Sequence, residues 1–150
     1  MNVHATTRRA CAVAAMAGAL FVPATQVAHA DTLRTVRCDD GIGDKLVATV
    51  TTVVSGDNDK FSQFTFRLTG GTGGKSNVNI DIFSNSQAVW HRDSPDDLKS
   101  NVYYVVNANS KVGPRPPVYV NRYTSEKVRF TAIFDHSGHD TSCVAETRPF

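Results

Sequence analysis

Two histidines and two aspartates lie within a short segment near the end of the chain. The segment Asp135-His136-Ser137-Gly138-His139-Asp140 offers imidazole nitrogens and carboxylate oxygens, which zinc and similar divalent ions accept as ligands. The same residues, centred on Ser137-Gly138, are also ordinary in a polar turn between two strands. Since a closed site would need ligands from elsewhere, we expect a turn without a metal. A small metal-dependent hydrolase that uses His136 and His139 is the alternative.

A glycine-rich segment, Gly70-Gly71-Thr72-Gly73-Gly74-Lys75-Ser76, resembles a phosphate-binding loop. In such a loop backbone N–H groups surround the phosphates and a lysine neutralises their charge. The first glycine of that pattern would stand at position 69, where this chain has Thr69. The next residues alternate in polarity like a strand, whereas a phosphate site needs the N-terminus of a helix. We therefore expect a surface loop and no nucleotide.

No other pattern of residues specifies a catalytic site. Residues 31–150 contain no Gly-x-Ser-x-Gly segment of the kind that presents a nucleophilic serine. All 14 Asp and Glu residues lie in that part of the chain, so opposed carboxylates of the glycosidase type could arise by chance. A small sandwich of about 120 residues leaves little room for a deep cleft. We expect a protein that is not an enzyme and has no cofactor.

Proline and tyrosine residues are the best candidates for a contact surface. The segment Gly113-Pro114-Arg115-Pro116-Pro117 cannot form a central strand, which predicts a stiff, extended surface loop. Tyr119 and Tyr123 have a parity opposite to Val118 and Val120, so we expect both tyrosines to face outward beside this loop. Tyrosine and arginine often dominate the energy of interfaces. The predicted partner-binding residues are Pro114, Arg115, Pro116, Pro117, Tyr119 and Tyr123.

The N-terminal 30 residues have the three parts of a secretory signal peptide. A basic pair, Arg8-Arg9, precedes an apolar stretch from Ala10 to about Val22, and the small residues of Ala28-His29-Ala30 follow. The apolar stretch is too short to span a membrane. We expect cleavage after Ala30, which leaves residues 31–150 as one secreted domain without a membrane partner.

The net charge argues against nucleic acid as a partner. The chain has 16 Lys and Arg residues against 14 Asp and Glu residues, a net charge of +2. Removal of Arg8 and Arg9 with the signal leaves 14 basic and 14 acidic residues. A neutral domain lacks the positive charge that binding to phosphates requires, whereas it is compatible with protein contacts.

The cysteines predict one disulfide bond. Cys11 lies before the expected cleavage site, so Cys38 and Cys143 remain in the exported chain. Two cysteines in an oxidising compartment most simply pair with each other. A disulfide that closes a loop of this length stabilises the fold by about 4–5 kcal/mol in the chain-entropy model.

Alternation of apolar and polar residues with a period of two is the dominant pattern in residues 31–150. It predicts an all-β, antiparallel β-sandwich, Ig-like or similar, with about eight or nine strands. At most one short helix is expected, from a capping serine at Ser94 to about Ser100. The predicted strands cover 33–38, 45–54, 61–68, 78–83, 87–91, 102–107, 117–123, 127–134 and 142–148.

These features predict a secreted, non-catalytic binding or adaptor module that recognises another extracellular protein. It would suit the small subunit of a larger secreted assembly, such as an antibacterial toxin. The signal and the disulfide-closed domain resemble those of many small exported bacterial proteins, although no motif identifies a family. A carbohydrate-binding module would expose the tyrosines or Trp90, which we expect in the core, on a flat face. A protease or hydrolase inhibitor would present the loop at 113–117.

Overall fold

The structure is a computed structural model that describes residues 31–70, 74–111 and 113–150. The expected signal peptide, which includes Cys11, lies outside the described residues, and so do residues 71–73 of the glycine-rich segment. The strands and surfaces of the protein are therefore those of the described residues from Asp31 onward.

Nine strands form, one for each segment that the alternation of polarity predicts. A tight turn at Gly56-Asp57 joins the second strand to the third, as the turn residues there predict. The strands are β1 (Thr32–Asp39), β2 (Lys45–Ser55), β3 (Asn58–Thr69), β4 (Asn77–Ser84), β5 (Gln87–Asp93), β6 (Tyr103–Val106), β7 (Val118–Asn121), β8 (Glu126–His136) and β9 (His139–Glu146).

The strands form two antiparallel sheets, which confirms the predicted β-sandwich. One sheet has the order β1-β2-β3, with β6 and β7 both pairing with β3. The other sheet has the order β5-β4-β8-β9. The inward rows predicted from the alternation are buried on the facing sides of the two sheets. These rows are Phe64, Phe66 and Leu68 in β3, Val78, Ile80 and Ile82 in β4, and Val128, Phe130, Ala132 and Phe134 in β8.

Trp90 belongs to the edge of this core, as predicted. Its ring is stacked on the buried Phe64 ring with 5.3 Å between centroids, and the residue is half-buried. Trp90 is therefore held by the sandwich and does not form an exposed aromatic platform.

The predicted disulfide bond joins Cys38 in β1 to Cys143 in β9. Strands β1 and β9 are edge strands of different sheets, so the bond closes one side of the sandwich. The residues that flank the two cysteines are brought together at that side.

At most one short helix was expected after Ser94, and the structure has turns at Asp96-Asp97 and Ser100-Asn101 instead. The Ser94 hydroxyl, expected to cap a helix, accepts a hydrogen bond from the backbone N–H of Val78 in β4. The backbone N–H of Leu98 donates to Ser76 instead of to a preceding helical carbonyl. The segment satisfies its backbone groups by lying against β4, and this alternative outweighs a helix of one or two turns.

Candidate functional site

One edge of the five-stranded sheet consists of two short strands placed end to end along β3. Strand β6 pairs with residues 64–67 of β3, and β7 pairs with residues 58–61. The long loop between β6 and β7 carries the proline-rich segment. This edge therefore places the predicted contact residues of the loop and of β7 next to β6. No contact residue was predicted in β6.

The outward side of this edge carries four large exposed side chains. In β6 the inward residues are Tyr104 and Val106, opposite Phe66 and Phe64, so the alternate residues point away from the core. In β7 the buried residue is Val120, which turns its neighbour outward. The exposed residues are Tyr103 (69% exposed), Val105 (50%), Tyr119 (54%) and, just beyond β7, Tyr123 (77%). We call this row the tyrosine edge.

Neighbouring side chains hold the tyrosines in place. The Arg67 guanidinium lies 5.0 Å from the centroid of the Tyr103 ring. The Lys60 ammonium lies 6.0 Å from the centroid of the Tyr119 ring. Such cation–aromatic contacts fix ring orientation at little cost, and a fixed side chain loses less conformational entropy when a partner binds.

Tyr123 is held differently, because it lies in the turn after β7. Its phenolic O–H donates to Oδ1 of Asp57 over 3.3 Å, and its backbone N–H donates to the Asn121 side chain. The turn thus orders the most exposed tyrosine of the tyrosine edge without burying its ring.

The proline-rich loop is anchored on the sandwich. The Pro114 carbonyl accepts a hydrogen bond of 2.6 Å from Nη1 of Arg92, a buried residue in β5. Burial, together with the charge of Arg115, lowers the pKa of Arg92. Pro116 is also buried, whereas Pro114, Arg115 and Pro117 are exposed. The loop therefore adds three exposed residues directly before β7 but does not project freely.

Sequence reasoning placed Tyr119 and Tyr123 on the surface, where the structure has them, and missed Tyr103 and Val105. The two missed residues share one parity in the predicted strand at 102–107, so the alternation places both side chains on the same face of the sheet. The local pattern does not predict that β6 and β7 both pair with β3. This pairing places the four side chains along one edge.

The two histidines of the candidate metal segment lie opposite each other at the junction of β8 and β9. The His136 and His139 rings are stacked with 5.4 Å between centroids. Only His136 among them shares a cluster with acidic residues in the described structure, and those residues, Asp40 and Asp44, come from the loop between β1 and β2. His139 is exposed.

Comparison of the chain with protein-family models, with curated proteins and with solved structures finds no match. Within the described ranges, no helix is long and apolar enough to cross a membrane.

Proposed function

We propose that the protein is a secreted, non-catalytic module that binds another extracellular protein through the tyrosine edge and the adjoining loop at 113–117. One observation carries the proposal: three tyrosines and a valine stand exposed in a row along one sheet edge. Exposed large apolar side chains are ordinary when scattered singly, whereas several on the outer side of one sheet edge indicate an interaction surface.

The dimensions of the tyrosine edge suit a protein partner. Tyr119 and Tyr103 lie beside Lys60 and Arg67, seven positions apart along β3. At about 3.3 Å per residue this separation is about 23 Å. An ordinary interface covers about 800 Å² on each partner, a patch roughly 30 Å across. The row therefore spans most of one such patch.

The chemistry of this surface supports the same partner class. Tyrosine and arginine are enriched at the centres of protein interfaces, because each combines a large contact area with a hydrogen-bonding group. The edge combines Tyr103 and Tyr119 with Val105, and cations from β3 flank it. The exposed Arg115 and Pro117 extend the surface toward the loop.

The disulfide bond supports an extracellular location, because disulfides persist in oxidising compartments. The signal peptide predicted over residues 1–30 supports the same location. Net neutrality of residues 31–150 gives no electrostatic attraction to nucleic acid.

A carbohydrate ligand is the second candidate, and one observation favours it: tyrosine rings lie exposed on the outer face of a sheet. A sugar would stack on one or two rings, whereas a protein would cover the whole row. Substitutions at the two ends of the row therefore separate the ligand classes, since a small glycan cannot contact both ends at once.

The proposal is tested by recovering the tagged protein gently from culture supernatant and separating it by size-exclusion chromatography. We expect it to elute with a specific protein identified by mass spectrometry, at a mass above that of the single chain. Elution alone near the monomer mass, together with binding to arrayed glycans that is lost in Tyr103→Ala, would replace the protein partner by the carbohydrate. Elution alone without glycan binding would contradict both.

A further inference from the structure

Three ligating side chains converge at the end of the sandwich next to the disulfide. Asp40 and Asp44 lie in the loop between β1 and β2 of the five-stranded sheet, and His136 ends β8 of the other sheet. One oxygen of each carboxylate and one ring nitrogen of the histidine all lie within 4.8 Å of one another. The cluster therefore links the two sheets, and it shares no residue with the tyrosine edge.

The Asp40 carboxylate is fixed by the loop that it organises. Its Oδ1 accepts hydrogen bonds from the backbone N–H groups of Ile42, Gly43 and Asp44, at 3.0, 3.1 and 3.0 Å. Its Oδ2 accepts a hydrogen bond of 2.6 Å from the Thr141 hydroxyl in β9. Asp40 is thus a preoriented carboxylate.

Asp44 and His136 present buried polar atoms that have no hydrogen-bond partner among the described residues. Asp44 is 8% exposed. Its Oδ2 pairs with Nε2 of His136 at 2.6 Å, but the two groups are not aligned as a hydrogen bond. Within the described ranges no lysine or arginine forms an ion pair with Asp40 or Asp44. Two carboxylates therefore face one imidazole, which leaves negative charge to be neutralised.

The backbone at Gly70 closes over Asp44. A Cβ atom at this position would lie 1.7 Å from Oδ1 of Asp44. Gly70 also has a φ of +98°, a backbone conformation that residues with a side chain rarely adopt. Glycine is therefore required where β3 ends, because a side chain at this position would meet the Asp44 carboxylate.

We propose that Asp40, Asp44 and His136 bind one divalent transition-metal ion of the zinc class. An imidazole nitrogen with two carboxylate oxygens suits zinc and its neighbours, whereas calcium and magnesium prefer oxygen ligands alone. The cluster is close to the required size, because tetrahedral ligands about 2.05 Å from zinc lie about 3.3 Å apart. Binding would increase the distance between Oδ2 of Asp44 and Nε2 of His136 by about 0.7 Å. It would also bring the Asp40 oxygen closer to these two atoms. Three protein ligands leave a position for water or for a group of the partner.

The other histidines have different surroundings. His139 is exposed and stacks on the His136 ring. His91 has Asp81 at one ring nitrogen, at 2.6 Å, and Asp93 at the other, at 2.9 Å, so these three residues do not converge on one ion. These two residues provide matched histidine controls.

Isothermal titration of the purified, tag-free protein with zinc chloride after chelator treatment tests the proposal. We expect about one equivalent of zinc to bind, and the melting temperature to rise by about 5 °C or more when zinc is in large excess over its Kd. His136→Gln and Asp44→Asn should each weaken binding by at least about tenfold. His139→Ala and His91→Ala should bind like the unchanged protein.

If a variant fails to fold, nitrogen-15 NMR of the unchanged protein still tests whether zinc binds at His136. Zinc should shift Nε2 of His136 and leave the ring nitrogens of His91 without a metal-dependent shift. The proposal is overturned if the folded protein binds no zinc at millimolar concentration. It is also overturned if binding survives in His136→Gln but is lost in His139→Ala or His91→Ala, since the ion would then lie elsewhere.

Discussion

Replacement of Glu126 by glutamine should remove a strong pH dependence of stability. Glu126 begins β8 and is 1% exposed, and neither carboxylate oxygen has a hydrogen-bond partner among the described residues. The pKa of Glu126 is raised to about 7, mainly by burial and also by the charge of Asp59, against the opposing charge of Arg122. The group is thus protonated in the folded protein at mildly acidic pH.

The sign of the effect follows from comparing the two states. In the unfolded chain this carboxyl has its ordinary pKa of 4.5. Between pH 4.5 and about 7 the unfolded state therefore releases a proton that the folded state retains. The Glu126 contribution is fully favourable below pH 4.5, and stability falls as pH rises toward 7. At about 1.36 kcal/mol per pH unit the loss is at most about 3.4 kcal/mol, and water entry around the carboxylate reduces it.

Urea denaturation between pH 4.5 and 8 measures this effect. The useful quantity is the free energy of unfolding of Glu126→Gln minus that of the unchanged protein, because other titrating groups cancel in it. Glutamine adds an unsatisfied amide, which offsets this difference equally at every pH. We expect the difference to rise by about 2–3 kcal/mol from pH 4.5 to 8. A difference that is the same at pH 5 and pH 8 would refute the reasoning.

Three further predictions concern the rest of the sandwich. Replacing both Cys38 and Cys143 by serine should lower the free energy of unfolding by about 4–5 kcal/mol in urea denaturation, because the bond closes a loop of 105 positions; a loss below about 1 kcal/mol would contradict this. Gly70→Ala should destabilise by about 2 kcal/mol or more, because the added methyl meets a carboxylate and φ is positive; an unchanged melting temperature would contradict the close approach. His91 should titrate above pH 6.5 by NMR, because the hydrogen bond to Asp81 raises its pKa more than desolvation lowers it, and Asp93 adds to the rise. Asp81→Asn should lower that midpoint, and an unchanged midpoint would show that the ion pair does not form in solution.

The fold was predictable because its main signal is local. Alternation of polarity in segments such as 61–68 and 127–134 identified both the strands and their inward faces. The short helix that the sequence allowed after Ser94 is absent because the hydrogen bonds of Ser94 and Leu98 go to Val78 and Ser76 at the start of β4, a tertiary contact that local capping signals do not contain.

The candidate sites were predictable in part. Tyr119 faced outward by its own parity, but its alignment with Tyr103 depends on the pairing of two distant strands with β3. His136 was identified as a possible ligand from its neighbours in sequence. Its actual companions, Asp40 and Asp44, lie almost a hundred residues earlier and come close because the two sheets meet beside the disulfide.

The central claim is that the tyrosine edge binds a protein partner, and the affinity of matched variants for the purified partner tests it most directly. Val105 in β6 and Val144 in β9 are 50% and 53% exposed on strands of different sheets, so a lysine at either position should be tolerated equally by the fold. Biolayer interferometry should show that Val105→Lys and Tyr103→Ala each weaken binding by at least about tenfold, while Val144→Lys changes it by less than about threefold. Equal affinities for all three variants, or a greater loss in Val144→Lys, would contradict the account.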